Sequence, residues 1–254
     1  MIEVKKLSAG YSKKNVLKDV SLQFPFGMIT SIIGTNGSGK STLLKQIAGI
    51  LKHNSGEILI YDQHIQSIKR KKLAQLVGFL PQKAQAPEGL TVREVVELGR
   101  HPYQGLFKRN LKKDIEKIDF ALEETDLIAL SAKSFSSLSG GQQQRVWLAM
   151  ILAQDTEVLL LDEPTTYLDI AHQNQLLDLL KNLNQKYNKT IIMVLHDINQ
   201  VYQISDYVIG LKSGEVVISG YTQEVIHRQS IQQLFDVDSE FLCCGQGKRD
   251  YIVL

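Results

Sequence analysis

The sequence predicts an α/β protein, a mostly parallel sheet flanked by helices. Three observations lead there. Short apolar runs that do not alternate with polar residues recur at Ile29–Ile33, Val77–Leu80, Val158–Leu161, Ile191–Leu195 and Tyr207–Leu211, as strands buried on both faces require. Helical patterns lie between many of these runs. The stretch "GTNGSGKST", Gly34–Thr42, stands between the first run and the helical pattern Leu43–Leu51, the setting in which a glycine-rich phosphate loop belongs.

The stretches "IEVKKLSAGY", "NVLKDVSLQF" and "EILIYD", the last ending at Asp62, predict an N-terminal antiparallel β element. In the phosphate loop, Gly34, Gly37 and Gly39 let the backbone wrap closely around phosphate oxygens, with Asn36, Ser38 and Thr42 beside them. Lys40 is expected to reach the β- and γ-phosphates of a nucleotide, and Ser41 to place its hydroxyl on Mg2+. The run Lys69-Arg70-Lys71-Lys72 reads as a solvated face, with a docking or nucleic-acid patch as the alternative. Gln82 follows the strand Val77–Leu80, where its amide is available to Mg2+ or water.

Between Thr91 and Ala153 strand signals vanish. Thr91–Arg100 and Leu111–Asp126 read as helices, the second with Leu111, Ile115, Ile118 and Leu122 on one stripe. The expectation is a helical subdomain of about residues 88–153, inserted in one catalytic domain spanning 1–254. Within it, "LSGGQQQRVWLAM" sets a serine and two glycines at a helix start, where free N–H groups point at negative charge. The chain thus carries two anion-binding patterns about a hundred residues apart.

The strand Val158–Leu161 ends in Asp162-Glu163-Pro164. Two carboxylates at the end of a buried strand are costly unless a cation or substrate uses them. In open α/β sheets those strand ends form the binding crevice. Asp162 is therefore expected to hold Mg2+ through water, and Glu163 to polarise an attacking water. His196 ends Ile191–Leu195 in the same way and is expected to contact the γ-phosphate. In Asn174–Lys189 the residues Leu176, Leu180, Leu183 and Tyr187 step along one helix face. The tail of about residues 236–254 gives weak signals, with a turn expected at Gly245 and Gly247.

A formal charge of +2 gives no global argument for a polyanionic partner, and no nucleic acid is expected. Cys243 and Cys244 are adjacent and cannot staple a fold, so free thiols in a reducing compartment are expected. "MIEVKKLSAGY" lacks the apolar core of a signal peptide. The uncharged span Gln23–Gly39 is broken by Pro25, Gly27, Thr35, Asn36 and Ser38 and does not suit a bilayer. A cytosolic chain is expected.

Taken together, the P-loop, "LPQ", "LSGGQ", "VLLLDEP", "YLD" and "VLHD" resemble, in order, the motifs of the ATP-binding subunit of ABC (ATP-binding cassette) transporters. The resemblance covers nearly the whole chain and implies ATP and Mg2+ as cofactors. It also implies a head-to-tail dimer with a second copy, in which Ser139, Gly140, Gly141 and Gln142 meet the other copy's ATP. Asp169 would then communicate across the interface, and Tyr11 would stack on adenine. Thr35 and Gln144 depart from the commonest family pattern without removing a catalytic group.

"LGRHPYQGLF", "TTYLDIAHQ" and "LHDINQ" resemble importers of iron(III)-siderophores, haem and cobalamin, siderophores being the first choice. Implied partners are integral-membrane permease subunits and, indirectly, an extracytoplasmic substrate-binding protein. The implied location is peripheral, at the cytoplasmic face of the cell membrane. Tyr103, beside Arg100, is the expected anchor for a short helix of a membrane subunit. A soluble ABC ATPase acting on ribosomes or DNA is the rival class, but it usually has two cassettes or a long coiled coil, and the sequence has neither. A P-loop GTPase or kinase leaves "LSGGQ" unexplained.

Overall fold

In this computed structural model, which describes residues 1–11, 14–104, 111–242 and 251–253, helix α1 (Lys40–Ile47) touches strands of two sheets. The strands in chain order are β1 (Ile2–Tyr11), β2 (Lys14–Phe24), β3 (Ile29–Gly34), β4 (Ser55–Ile60), β5 (Gln63–His64), β6 (Val77–Leu80), β7 (Val158–Asp162), β8 (Thr190–Val194), β9 (Tyr207–Lys212), β10 (Glu215–Tyr221), β11 (Glu240–Leu242) and β12 (Tyr251–Val253). The further helices used below are α2 (Arg70–Leu76), α3 (Val92–Glu97), α4 (Leu111–Glu124), α5 (Gly140–Ala153), α6 (Ile170–Tyr187) and α7 (Ile198–Ile204).

The larger sheet has the order β10-β9-β3-β8-β7-β6, and every pairing except β10 with β9 is parallel. The unbroken apolar runs have their cause here, since every residue of β3, β7 and β8 is buried. The smaller sheet, β2-β1-β4-β5, is antiparallel and shows alternating burial, with one face on a core and one in water. Leu43, Leu44 and Ile47 of α1 join Ile2, Leu7, Phe24, Ile32 and Leu160 in the core between the sheets. The opposite face of the larger sheet packs on α5, α6 and α7 through Trp147, Leu180, Leu183 and Val201. The α/β class and the antiparallel N-terminal element are as the sequence predicts.

The described residues of 91–153 hold helices and no named strand, with a single isolated bridge between Thr91 and Ser134. The helix expected over Thr91–Arg100 is α-helical only to Glu97 and continues as a 3-10 segment over Leu98–Tyr103. Two residues account for the change. Pro102 has no N–H to donate, and a Cβ on Gly99 would lie 2.0 Å from the Met150 carbonyl oxygen, so the backbone presses directly on α5. In α4 the buried residues are Asp114, Ile118, Ala121 and Leu122, whereas Leu111 and Ile115 are exposed. The inward place in the first turn belongs to a carboxylate, and this corrects the apolar stripe read from the sequence.

That carboxylate answers Arg100, whose side chain is only 1% exposed. Arg100 Nε donates to Asp114 Oδ1 at 2.8 Å, and Nη1 donates to the Ala153 carbonyl at 2.6 Å. Its guanidinium lies 4.0 Å from the centre of the Tyr103 ring. Arg100 thus joins the 3-10 segment, α4 and α5, and Tyr103 covers it. Tyr103 is half-buried, with its ring on Arg100 inside the helical segment. Lys69, Arg70, Lys71 and Lys72 are exposed, as a solvated face requires. Cys243, Cys244 and the expected turn at Gly245 and Gly247 lie outside the described residues. Among the described residues no helix is long and apolar enough to cross a membrane.

Losing the Arg100 side chain removes its bonds to Asp114 and Ala153 and its contact with the Tyr103 ring together. Arg100→Ala is therefore expected to lower stability by about 3–5 kcal/mol. Urea unfolding measures the loss, and a cycle with Asp114→Ala should show strong coupling between the two positions.

Candidate active site

Four neighbouring parallel strands end on one edge of the larger sheet, and each delivers a polar group there. β3 runs into the glycine-rich loop, and β8 is followed by His196. β7 ends in Asp162 and Glu163, and β6 is followed by Gln82. The order β3-β8-β7-β6 places the His196 strand between the phosphate loop and the acidic pair, with Gln82 on the far side.

The phosphate loop is built by backbone geometry. Gly34 (φ 144°) could not carry a Cβ, which would stand 2.0 Å from the Leu211 carbonyl oxygen. Gly39 (φ 105°) is the N-cap of α1, and a Cβ there would strike Leu17 of β2 at 2.6 Å. Lys40 is buried and folded back, donating from Nζ to the carbonyls of Gly34 at 2.9 Å and Thr35 at 3.0 Å. Burial pushes the Lys40 ammonium down from its ordinary pKa, against the charges of Glu163 and Asp162. Ser38 Oγ is buried and has no hydrogen-bond partner within the described residues. Tyr11 lies at the end of β1, 48% exposed and opposite Lys14. Its strand partner β2 also supplies the leucine that meets Gly39.

Asp162 and Glu163 are neighbours with opposite electrostatics. Asp162 is buried and accepts from Ser41 Oγ at 2.7 Å. Burial pushes its carboxyl above the usual range, and the Ser41 bond and the Lys45 and Lys40 charges do not fully offset it. Glu163 leaves the strand at φ 55°, a left-handed conformation that few glutamates adopt, and this turns its side chain into the crevice. His196 Nε2 lies 2.7 Å from Glu163 Oε1, and the Gln82 amide and Thr166 hydroxyl donate to Oε2 at 2.5 Å and 3.1 Å. Burial raises Glu163, but the His196 bond and charge, the Thr166 bond and the Lys40 charge outweigh it and hold the carboxyl low. A carboxylate oxygen only accepts, so His196 Nε2 carries a proton.

The fit to a nucleotide and Mg2+ rests on these groups. A buried ammonium and the open start of α1 suit phosphate oxygens. The hydroxyl of Ser41 against the Asp162 carboxylate is the hard oxygen pair that Mg2+ prefers.

The second glycine pair lies elsewhere. Ser139 and Gln142 close a capping box at the start of α5, with Ser139 N–H donating to Gln142 Oε1 at 3.1 Å and Gln142 N–H to Ser139 Oγ at 3.4 Å. Gly141 packs against the His172 ring, while a Cβ on Gly140 would meet nothing within 4 Å. Asp169 caps α6 and accepts from the His172 backbone and ring. Two contributors escaped the sequence reading. Thr166 sits three residues after Glu163, where a hydroxyl following a strand-end turn was the available signal. Lys45 acts on Asp162 by charge from the same helix as Ser41, one turn on.

A glycine-rich loop facing an acidic strand end across a parallel sheet defines a P-loop NTPase. The sequence model described as ABC transporter matches residues 17–166, and the chain belongs to that family. The petrobactin import ATP-binding protein FpuD of Bacillus anthracis is 41% identical, over 97% of this chain and 94% of its own. The iron(3+)-hydroxamate import ATP-binding protein FhuC of Bacillus subtilis (strain 168) is 43% identical, over 95% and 90%. Among solved structures, a metal-chelate type ABC transporter in an inward-facing conformation aligns with a TM-score of 0.85 at 29% identity, covering 99% of this chain and 95% of the other. A dimeric bacterial ABC transporter cassette aligns at 0.75 with 32% identity, over 87% and 99%.

His196 is one of the groups that hold Glu163 low, so His196→Ala should move the Glu163 titration to higher pH. Carboxyl carbon NMR across a pH series reads the midpoint. An unchanged midpoint would assign the depression to Thr166 and Lys40 alone.

Proposed function

We propose that this chain is the ATP-hydrolysing subunit of an ABC importer for iron(III)-siderophore complexes. It works as a head-to-tail dimer with a second copy, on integral-membrane permease subunits, peripherally at the cytoplasmic face of the membrane. An extracytoplasmic binding protein hands the substrate to those subunits. The observation that carries the ATPase part is Glu163, ionised and held by three donors beside the Ser41–Asp162 pair and the phosphate loop. The names of the relatives, import ATP-binding proteins for petrobactin and iron(3+)-hydroxamate, support the choice of cargo.

In this reading Gly34, Asn36, Gly37, Ser38, Gly39 and Thr42 line the phosphates, and Lys40 exchanges its two carbonyl partners for phosphate oxygens. Ser41 and Asp162, with Gln82 nearby, hold Mg2+, which when bound neutralises charge on the phosphates. Glu163 takes the proton of the attacking water, a task for which a carboxylate kept ionised is suited. His196 orients that carboxylate and meets the γ-phosphate. Tyr11, exposed at the end of β1, stacks on adenine. Ser139, Gly140, Gly141 and Gln142 serve the ATP held by the second copy, and Asp169 links the two sites. Residues 88–153 form the inserted helical subdomain, which Gln82 joins to the catalytic edge.

Glu163→Gln keeps the shape and loses the base. It is expected to bind ATP normally and to hydrolyse it about 10²–10⁴ times more slowly, the range for a positioned general base. With ATP retained, the variant should accumulate as a dimer on a sizing column. Near-normal turnover would remove Glu163 from the mechanism. In cells lacking this chain, restoring it should restore uptake of radio-iron supplied as a siderophore complex. If uptake of that iron never depended on it while haem or cobalamin uptake did, the cargo assignment would change and the importer reading would stand.

A further inference from the structure

The glycine-rich start of α5 and the turn carrying Asp169 meet through one side chain, His172. Asp169 Oδ1 accepts the His172 backbone N–H at 2.9 Å and lies 2.7 Å from His172 Nδ1. Hydrogen bonds from the His172 backbone and ring hold the Asp169 carboxyl below its usual range, so the oxygen is an acceptor and Nδ1 carries the proton. With one edge fixed in this way, the ring lies against α5. A Cβ on Gly141 would stand 2.6 Å from Cδ2 and 3.0 Å from Cγ. The imidazole thus occupies the room that a side chain at position 141 would need.

Close packing does not fix this seam by itself. A cavity of about 320 Å3 lies along it, lined by His172, Gly141, Arg145, Gln175, Leu168 and Asp126. Where side chains do not interdigitate, orientation rests on point contacts. Among the described residues, His172 on Gly141 and Arg145 Nη2 to Gln175 Oε1 at 2.9 Å are such contacts across α5 and α6. Only the first reaches the glycines.

We propose that His172 is a positioning residue that holds Gly140 and Gly141 in register with the Asp169 turn, so that both meet the second copy's nucleotide site together. The proposal rests on the head-to-tail reading above. In that arrangement His172 serves the ATP bound to the other copy and not the ATP on its own chain.

The test is mutant mixing. His172→Ala should bind a fluorescent ATP analogue as the wild type does, since its own phosphate loop is intact, while its turnover falls about tenfold because the ring no longer backs Gly141. Mixed with Lys40→Ala, it forms heterodimers with one composite site whose phosphate loop and glycines are both undamaged, so activity should rise above that of either parent. A parallel mixture of Ser139→Ala with Lys40→Ala reports on the head-to-tail reading. If that mixture fails to recover despite verified heterodimers, the reading falls and this proposal with it. Recovery there without recovery for His172→Ala overturns the proposal alone, because His172 would then act on its own chain's site. His172→Asn keeps a donor for Asp169 but does not reach Gly141, and should lose as much turnover as His172→Ala. Wild-type turnover in either His172 variant overturns the proposal.

Discussion

The hydrogen bond between Ser41 and Asp162 is the constraint on which the catalytic edge depends. It ties the first turn of α1 to the end of β7 across the intervening β8, at 2.7 Å. Because α1 is also wedged against the antiparallel sheet, the bond fixes how the two cores sit relative to the phosphate loop. The parallel topology makes this possible. Strands running the same way bring their ends to one side, so four loops far apart in sequence supply one crevice. An antiparallel arrangement would have sent half of those groups to the opposite edge.

The two adjacent carboxylates show how small differences in placement divide the labour. Asp162 is still inside the strand and deeply buried, and desolvation raises it. Glu163 is one residue further, turned by a positive φ, and meets His196, Gln82 and Thr166. The same desolvation acts on it but is outweighed. One position therefore suits a group whose oxygen takes a hydroxyl or a cation, and the other suits a base that must stay ionised near neutrality. The positive φ of Glu163 is strain of the kind that gathers at working sites, and the three donors on its side chain help to hold it there.

The sheet was legible in the sequence because parallel strands buried on both faces cannot alternate, and the runs at Ile29, Val77, Val158, Ile191 and Tyr207 do not. The polar groups at their ends were legible for the same reason, since each interrupts an apolar run abruptly. The helical segment was only half legible. Its buried ion pair looks, in sequence, like two ordinary surface charges, and nothing local marks Arg100 and Asp114 as partners across the chain. Burial of Arg100 follows from the joint demand of Asp114, Ala153 and Tyr103, a tertiary fact that periodicity cannot report. That demand also explains why Leu111 and Ile115 are left in water although they extend an apolar stripe.

The two glycines at the start of α5 separate an internal requirement from an external one. Gly141 is explained within the chain, because the His172 ring leaves no room for a Cβ. Gly140 is not. It has open space where a Cβ would stand, and its φ is not in the left-handed region. Glycine is a poor helix former, so neither packing nor backbone conformation in this chain calls for it. The capping box satisfies the N–H of Gln142 through Ser139, and the amides before it have no acceptor within the helix. A bare backbone with unpaired donors, backed by a fixed ring, is the surface an anion from outside the chain needs in order to approach closely.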